Sequence, residues 1–146
     1  MFRGVSQLNL DAKGRLAMPA RYRDTLAASC GGQLVITVDP DRCLLLYPFP
    51  EWERIEQSLM SRPNMNPKVR NLQRLLVGHA TECELDGSGR LLLPTPLRQY
   101  ASLDKRAVLL GQGNKFEIWD ADSWEARCEQ ALGGDVDDDA LESIAL

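Results

Sequence analysis

The sequence predicts a mainly β protein with peripheral helices, an α+β fold in which one small unit occurs twice. The first observation is a repeated motif, Asp11-Ala-Lys-Gly-Arg-Leu-Ala-Met-Pro19, which returns 75 positions later as Asp86-Gly-Ser-Gly-Arg-Leu-Leu-Leu-Pro94. The second is the common order of the downstream segments, because β-rich runs and then a tryptophan (Trp52 or Trp124) come after each copy. Two copies of about 50 residues joined by a linker indicate a duplicated domain rather than a solenoid. We therefore expect a pseudo-two-fold architecture.

The first unit begins with a strand, because residues 2–10 alternate between two faces with the period of a half-buried strand. Residues 11–14 have the composition of a tight turn, since aspartate caps a turn and glycine adopts the positive φ that a hairpin requires. A second strand over residues 15–18 completes a predicted β-hairpin. Pro19 then suits the first turn of a short helix that ends at about Leu26.

The rest of this unit is a second hairpin and two helices. Two β-rich runs, residues 34–38 and 43–47, flank a turn at 39–42. An amphipathic helix is predicted next, over residues 52–60. After a proline-containing linker, a further helix is predicted over residues 68–77. Its basic side chains indicate a solvated face or an oligomer contact, and they are Lys68, Arg70 and Arg74.

The second unit repeats this order. Its predicted strands are residues 81–85, 91–93, 107–110 and 115–119, and its predicted helices are residues 97–101 and 123–132. After Gly133 and Gly134, the acidic tail indicates weak order or loose docking. We divide the chain into a first domain, a connecting helical segment, a second domain and a C-terminal helix end with the tail, at residues 1–53, 54–77, 78–125 and 126–146.

The distribution of charge is more informative than the net charge of −4. Five acidic residues lie in the last twelve positions, and the remaining chain has 17 basic and 16 acidic residues. The first 30 residues have only two acidic side chains and five basic ones, which are Arg3, Lys13, Arg15, Arg21 and Arg23. Because local potential rather than overall charge attracts a polyanion, this end of the chain is the candidate surface for a polyanionic partner.

Several classes of protein are excluded by the sequence. No apolar stretch approaches the roughly 20 residues of a membrane span, and residues 1–7 lack the core of a signal peptide, so we expect a cytoplasmic protein without a membrane partner. Four scattered cysteines and the single His79 lack the spacing of a zinc site or a redox dithiol. We therefore expect reduced, buried cysteines and no metal or other cofactor.

No catalytic constellation is recognisable either. The sequence has no nucleophile beside a base and no phosphate loop, and the glycine-rich residues 111–114 lack the helix start that phosphate binding needs. The prediction is that the protein is not an enzyme and has no small-molecule substrate.

The repeated Asp-x-x-Gly-Arg unit has a structural and a functional interpretation. The aspartate (Asp11 or Asp86) caps the turn, the glycine (Gly14 or Gly89) permits it, and the arginine pairs with the aspartate across the turn. A turn that fixes an arginine also presents it, so the two interpretations are compatible.

The residues together resemble the MraZ family of bacterial regulators, whose two tandem AbrB-like swapped-hairpin domains each carry a D-x-x-x-R motif. The resemblance runs from residue 1 to about residue 132. The matching segments include Met1-Phe-Arg-Gly4, Leu44-Leu-Leu-Tyr-Pro48, Gln73-Arg-Leu-Leu76, Gly78-His-Ala80 and Gly111-Gln-Gly-Asn-Lys-Phe-Glu-Ile-Trp119.

This resemblance implies an interleaved, β-barrel-like fold formed by the two halves of one chain and assembly into a homo-oligomeric ring. It also implies binding to double-stranded DNA, at short direct repeats upstream of the division and cell-wall gene cluster. The implied function is sequence-specific regulation of transcription, as a repressor of the protein's own operon, in the cytoplasm and on the nucleoid.

The duplication allows the two copies to be compared. Lys13 corresponds to Ser88, while Gln7 and Asn9 correspond to glutamates in the second copy. Because carboxylates repel phosphates, we predict that the first copy binds DNA. Arg15 is the leading candidate for a base or phosphate contact, with Arg3 and Lys13 as phosphate anchors and Arg21 and Arg23 next. We assign Arg90 mainly to an ion pair with Asp86.

The alternative function is a ring-forming scaffold that binds proteins without sequence-specific DNA binding. It would place Trp52, Trp119 and Trp124 at subunit or partner surfaces. We favour packing of these tryptophans in the core.

Overall fold

The computed structural model describes residues 1–133 and 142–144. Over residues 1–133 the elements are, in chain order, β1 (Phe2–Asn9), β2 (Arg15–Ala17), α1 (Ala20–Cys30), β3 (Gln33–Val38), β4 (Leu44–Pro48), α2 (Phe49–Met60), α3 (Pro67–Leu72), a π-helical turn (Gln73–Val77), β5 (Thr81–Glu84), β6 (Arg90–Leu92), α4 (Thr95–Tyr100), β7 (Arg106–Gly113), β8 (Phe116–Asp120) and α5 (Ala121–Leu132). The predicted α+β class and the repeated order of elements are confirmed. The prediction for the acidic tail concerns residues 134–146, most of which lie outside the described residues.

The first strand of each half pairs with the hairpin of the other half. β1 runs antiparallel to β7, and β5 runs antiparallel to β3 in the equivalent register, with Ser6 opposite Leu109 and Thr81 opposite Ile36. The predicted hairpins β3–β4 and β7–β8 are present and meet through β4 and β8. The resulting order, β1-β7-β8-β4-β3-β5, is symmetric about its centre. The two halves are therefore interleaved.

The predicted hairpin between the first two strands is wrong in both halves. Its turn forms, since the N–H of Gly14 donates to the carbonyl of Asp11 at 3.0 Å. Beyond the turn, however, β2 pairs with β6, with Leu16 opposite Leu91. Both leucines are fully buried, and pairing across the halves brings both into one core, so burial of apolar surface favours this exchange. β2 and β6 form a separate ribbon, and the edge strands β1 and β5 of the six-stranded sheet do not pair with each other, so this sheet is open rather than the closed barrel that the resemblance implies.

A shared core holds the two halves together. It includes residues from the β2–β6 ribbon and the segment after β2, from the sheet, and from the helices α1 and α4. Among them are Met18, Leu26, Leu97 and Phe116. A halved chain could not reproduce this core, because each half supplies only part of its lining.

The tryptophans lie in two smaller clusters on the two hairpins. Trp52 packs with Val35 and Tyr47, and Trp119 packs with Val108 and the half-buried Trp124. Trp52 and Trp119 are only 4% and 5% exposed. The core-packing interpretation is confirmed for Trp52 and Trp119, whereas Trp124 lies at the edge of its cluster.

The connecting segment differs from the single helix that the sequence predicts. The N–H of Gly78 donates to the carbonyl of Gln73 at 3.2 Å, so the last turn is π-helical. Lys68 and Arg74 are exposed. Arg70 instead donates from Nη1 to the carbonyls of Asn64 and Met65 and holds the linker against the helix.

The cysteines do not form a chemical site. All four are free thiols, with Cys43 buried and the other three half-buried. Burial raises the pKa of the Cys83 thiol to about 12, which leaves it uncharged at neutral pH. Among the described residues, no group of three potential ligands could hold a metal ion. In the same part of the chain, every helix is too short or too polar to span a bilayer.

Candidate nucleic-acid interface

The ribbon β2–β6 presents both motif arginines on one face. Arg15 lies opposite Leu92 and Ala17 lies opposite Arg90, and residues that face each other across a strand pair point the same way. We call these four residues the arginine face. Arg15 and Arg90 are diagonal neighbours on it, with backbones about 7 Å apart for this kind of pair.

The first turn holds Arg15 by its backbone and its side chain. Asp11 Oδ1 accepts the N–H groups of Lys13 and Arg15 at 3.0 and 2.8 Å. Its Oδ2 accepts Nε of Arg15 at 2.7 Å. One carboxylate therefore closes the turn and fixes the direction in which the guanidinium leaves it.

The second turn reproduces this geometry. Asp86 Oδ1 accepts the N–H groups of Ser88 and Arg90, both at 2.9 Å, and its Oδ2 accepts Nε of Arg90 at 3.1 Å. The predicted ion pair between Arg90 and Asp86 is confirmed, but Arg15 makes the same pair with Asp11. The ion pair therefore does not distinguish the two copies.

Both guanidinium groups keep binding capacity. Each is anchored through Nε, and within residues 1–133 and 142–144 no protein hydrogen bond uses the Nη atoms of Arg15 or Arg90. The two side chains are 26% and 36% exposed. Paired Nη donors can bind a phosphate or the O6 and N7 acceptors of guanine.

The carboxylates in the turns remain charged at neutral pH. The backbone N–H of Arg15, helped by the Arg15 side chain and the N–H of Lys13, lowers the pKa of Asp11 below its ordinary value. The equivalent hydrogen bonds, led by the backbone N–H of Arg90, lower the pKa of Asp86. Because these hydrogen bonds stabilise the charged form, protonation opposes the folded turn.

We expect the stabilisation by these carboxylates to depend on pH. A carboxylate whose pKa is lowered in the folded protein stabilises the fold at pH values above its ordinary pKa of 3.8. This stabilisation is lost as the pH falls through the lower pKa of the folded state. Asp11→Asn keeps the shape of the side chain but removes its charge. Urea unfolding from pH 7 to pH 2 should show a difference between wild type and Asp11→Asn that is constant above pH 5 and shrinks in acid. A difference independent of pH would contradict this cause.

The other predicted contacts are distributed along the first half. Lys13 is exposed in the turn beside Arg15. Arg3 is exposed near the opposite end of β1, about 20 Å along the strand from Asn9 at the usual rise per residue. Arg21 donates to Ser6 Oγ at 2.7 Å, so it lies along β1. The structure thus places Lys13 beside Arg15, while Arg3 and Arg21 extend along β1.

Arg23, also a predicted contact, is exposed and lies beside the second turn rather than the first. Its Nη2 donates to the carbonyl of Met18 at 3.1 Å, and its guanidinium lies over Gly89 in the turn of the other half. Arg98 is the equivalent residue of the second half and lies over Gly14, a position that the motif alone did not indicate. The sequence does contain a signal for this pair of arginines, because each motif proline is followed four positions later by an arginine.

The surroundings of the two turns differ in charge. The first turn carries Lys13 where the second carries Ser88. Exposed Glu82 and Glu84 lie on β5, which precedes the second turn. Because these glutamates repel phosphates and Lys13 attracts them, the first half is the better surface for a polyanion.

Known proteins match this chain over most of its length. A family described as "MraZ protein, putative antitoxin-like" matches residues 1–75 and again residues 76–140. A protein of Thioalkalivibrio sulfidiphilus named "Transcriptional regulator MraZ" is 76% identical over 124 residues, which is 85% of this chain and 83% of that protein. A protein of the same name from Halorhodospira halophila is 55% identical over the whole of both chains. Another, from Pseudomonas aeruginosa (strain LESB58), is 57% identical over 90% of this chain and 88% of its own length.

The names of these relatives describe regulators of transcription rather than enzymes, in agreement with the prediction that the protein is not an enzyme. Both halves match the same family, as the duplicated motif and the exchanged strands indicate. The chain belongs to the MraZ family.

Proposed function

We propose that this protein regulates transcription by binding double-stranded DNA through the arginine face. The observation that carries the proposal is the pair Arg15 and Arg90, held side by side on the outer face of one ribbon with their Nη groups open. The names of the relatives support the same class of function. We place the protein in the cytoplasm and on the nucleoid.

The geometry suits recognition in the major groove. That groove admits a two-stranded β-ribbon, and an arginine can bind guanine O6 and N7 with two donors at once. An aspartate that already fixes Nε lowers the entropy lost when the arginine binds, because the side chain has fewer conformations to give up. Arg15 and Arg90 are close enough to reach neighbouring bases or a base and a phosphate.

Within this interface, the first half contributes more to affinity. Lys13 beside Arg15 is placed to contact a phosphate, and Arg3 and Arg21 extend the basic surface along β1. Each phosphate that is neutralised should make binding more sensitive to salt, by about 0.9 log units of affinity per decade of salt concentration.

We further propose that the protein acts as a homo-oligomeric ring on short direct repeats and represses its own operon in the division and cell-wall cluster. A single interface with this few basic groups binds weakly. Several interfaces joined in one assembly gain affinity through effective concentration, by about 10²- to 10⁴-fold when the spacing of the repeats matches.

The proposal is tested by fluorescence anisotropy with two labelled duplexes, one from the region upstream of the protein's own gene and one with the same composition scrambled. We expect tighter binding to the upstream duplex and a steep loss of affinity between 50 and 200 mM salt, of about 10³-fold or more if the assembly makes at least six phosphate contacts. Equal affinity for both duplexes, or no binding to either, would remove the proposed function and favour the scaffold.

A further inference from the structure

Two arginines outside the repeated motif lie across the turns of the opposite half. A Cβ added to Gly14 would lie 2.7 Å from Nε of Arg98, and one added to Gly89 would lie 2.9 Å from Cζ of Arg23. Gly14 and Gly89 are both buried, although the turns that contain them are on the surface. A guanidinium therefore occupies the space where any other residue would carry its side chain.

Each of these arginines is anchored in its own half. Arg98 donates from Nε to the carbonyl of Leu93 at 3.0 Å and from Nη2 to Thr95 Oγ1 at 2.8 Å. Arg23 donates from Nη2 to the carbonyl of Met18 at 3.1 Å. Their positions are thus set by residues that follow the ribbon strands in the same half.

The backbone crosses between the halves at the same place. The N–H of Leu93 donates to the carbonyl of Gly14 at 3.0 Å, and the N–H of Met18 donates to the carbonyl of Gly89 at 2.9 Å. Each turn is therefore held by a backbone hydrogen bond and by a guanidinium, both supplied by the other half of the chain.

We propose that Arg98 is a positioning residue for Arg15 and that Arg23 is a positioning residue for Arg90. Gly14 directly precedes Arg15 in the chain, so a flat guanidinium packed on Gly14 fixes the peptide unit from which the Arg15 side chain extends. The same relation joins Arg23 to Arg90 through Gly89. This inference rests on the proposed function and specifies how its binding residues are oriented.

The crossed arrangement makes a specific pattern of coupling. Loss of Arg98 should weaken DNA binding only through Arg15, and loss of Arg23 only through Arg90. The aspartate of the same half and the guanidinium of the other half both hold the turn that carries each motif arginine, so the two arginines of the arginine face depend on intact packing between the halves. A residue that contacts phosphate itself would instead contribute independently of both.

The test is a pair of double-mutant cycles, measured by anisotropy with the upstream duplex on the full chain. Arg98→Ala should weaken binding about tenfold in the wild-type background and in the Arg90→Ala background, but less than twofold in the Arg15→Ala background, a coupling typical of residues in one network. Arg23→Ala should weaken binding about tenfold in the wild-type and Arg15→Ala backgrounds, but less than twofold in the Arg90→Ala background. Because Arg98 is proposed to act only through Arg15, Arg98→Ala should leave the salt dependence of binding unchanged in the Arg15→Ala background.

A second variant, Arg98→Lys, keeps the charge and most of the stem but lacks the flat guanidinium, and should give the same coupling if Arg98→Ala fails to fold. Full additivity of Arg98 with Arg15, or a lower salt dependence on adding Arg98→Ala to Arg15→Ala, would overturn the positioning role while leaving the proposed function intact. Absence of salt-sensitive binding by the wild type, by contrast, would overturn the proposed function and this inference with it.

Discussion

Arg15→Glu is expected to weaken binding to the upstream duplex by about 100-fold or more, because a two-donor arginine contact is worth about 1–3 kcal/mol and the new carboxylate also repels the phosphates. The effect should multiply in an assembly, since every subunit loses the same contact. The measurement is anisotropy at fixed salt, with circular dichroism and size-exclusion chromatography to show that fold and assembly are retained.

Arg54→Glu is the matched control. Arg54 also forms an ion pair with a nearby acid, Glu51, at 2.8 Å, and its substitution makes the same change in net charge. It lies on α2, which packs on β3 and β4, and is not part of the ribbon. Equal losses for both variants would show that overall charge, rather than the arginine face, determines binding.

Gly14→Ala is expected to destabilise the protein and to weaken DNA binding together. Gly14 has φ of +81°, a conformation that costs an alanine about 1–2 kcal/mol, and its new Cβ would displace the guanidinium of Arg98. Gly89→Ala should behave in the same way, because its φ is +73° and Arg23 covers it. Urea unfolding gives the stability, and anisotropy gives the affinity.

Gly87→Ala is the control within the same kind of turn. A Cβ on Gly87 would meet no atom within 4 Å, and the equivalent position of the first turn already holds Ala12. We therefore expect a change within about 0.5 kcal/mol, as for ordinary surface substitutions. Comparable destabilisation by Gly87→Ala and Gly14→Ala would contradict the claim that the covered glycine is the constrained position.

The turns could be predicted from the sequence because their chemistry is local. The carboxylate of Asp11 reaches the N–H groups of residues two and four positions later, and Gly14 adopts the positive φ that its type allows. The same holds for the second turn. Residue type and spacing are sufficient for such contacts, since no distant part of the chain is involved.

The partners of the strands could not be predicted in this way. Alternation over residues 2–10 indicates a strand with one buried face, but it does not say which strand lies beside it. A local hairpin and the exchange with β7 satisfy the same pattern. The exchange depends on the shared core, where Leu16 and Leu91 meet, and only the resemblance to the family implied interleaving in advance.

The candidate site was predicted in part for the same reason. The motif arginines stand out because they recur with their aspartates, whereas Arg98 follows a proline in a short helix and contacts its turn only across the fold. Arg3 belongs to the same basic segment in sequence, yet it lies at the opposite end of β1 from the turn that carries Arg15. Nearness in sequence is thus a poor guide to nearness on the binding surface.

The central claim is that DNA sequence is read by the arginine face, and the most direct test is the ratio of affinities for the upstream and scrambled duplexes in wild type and Arg15→Ala. An arginine that reads a base contributes to one duplex only, so the ratio should fall about tenfold or more when Arg15 is removed. A phosphate contact alone would weaken both duplexes equally. An unchanged ratio in Arg15→Ala would therefore contradict the claim that Arg15 reads the sequence.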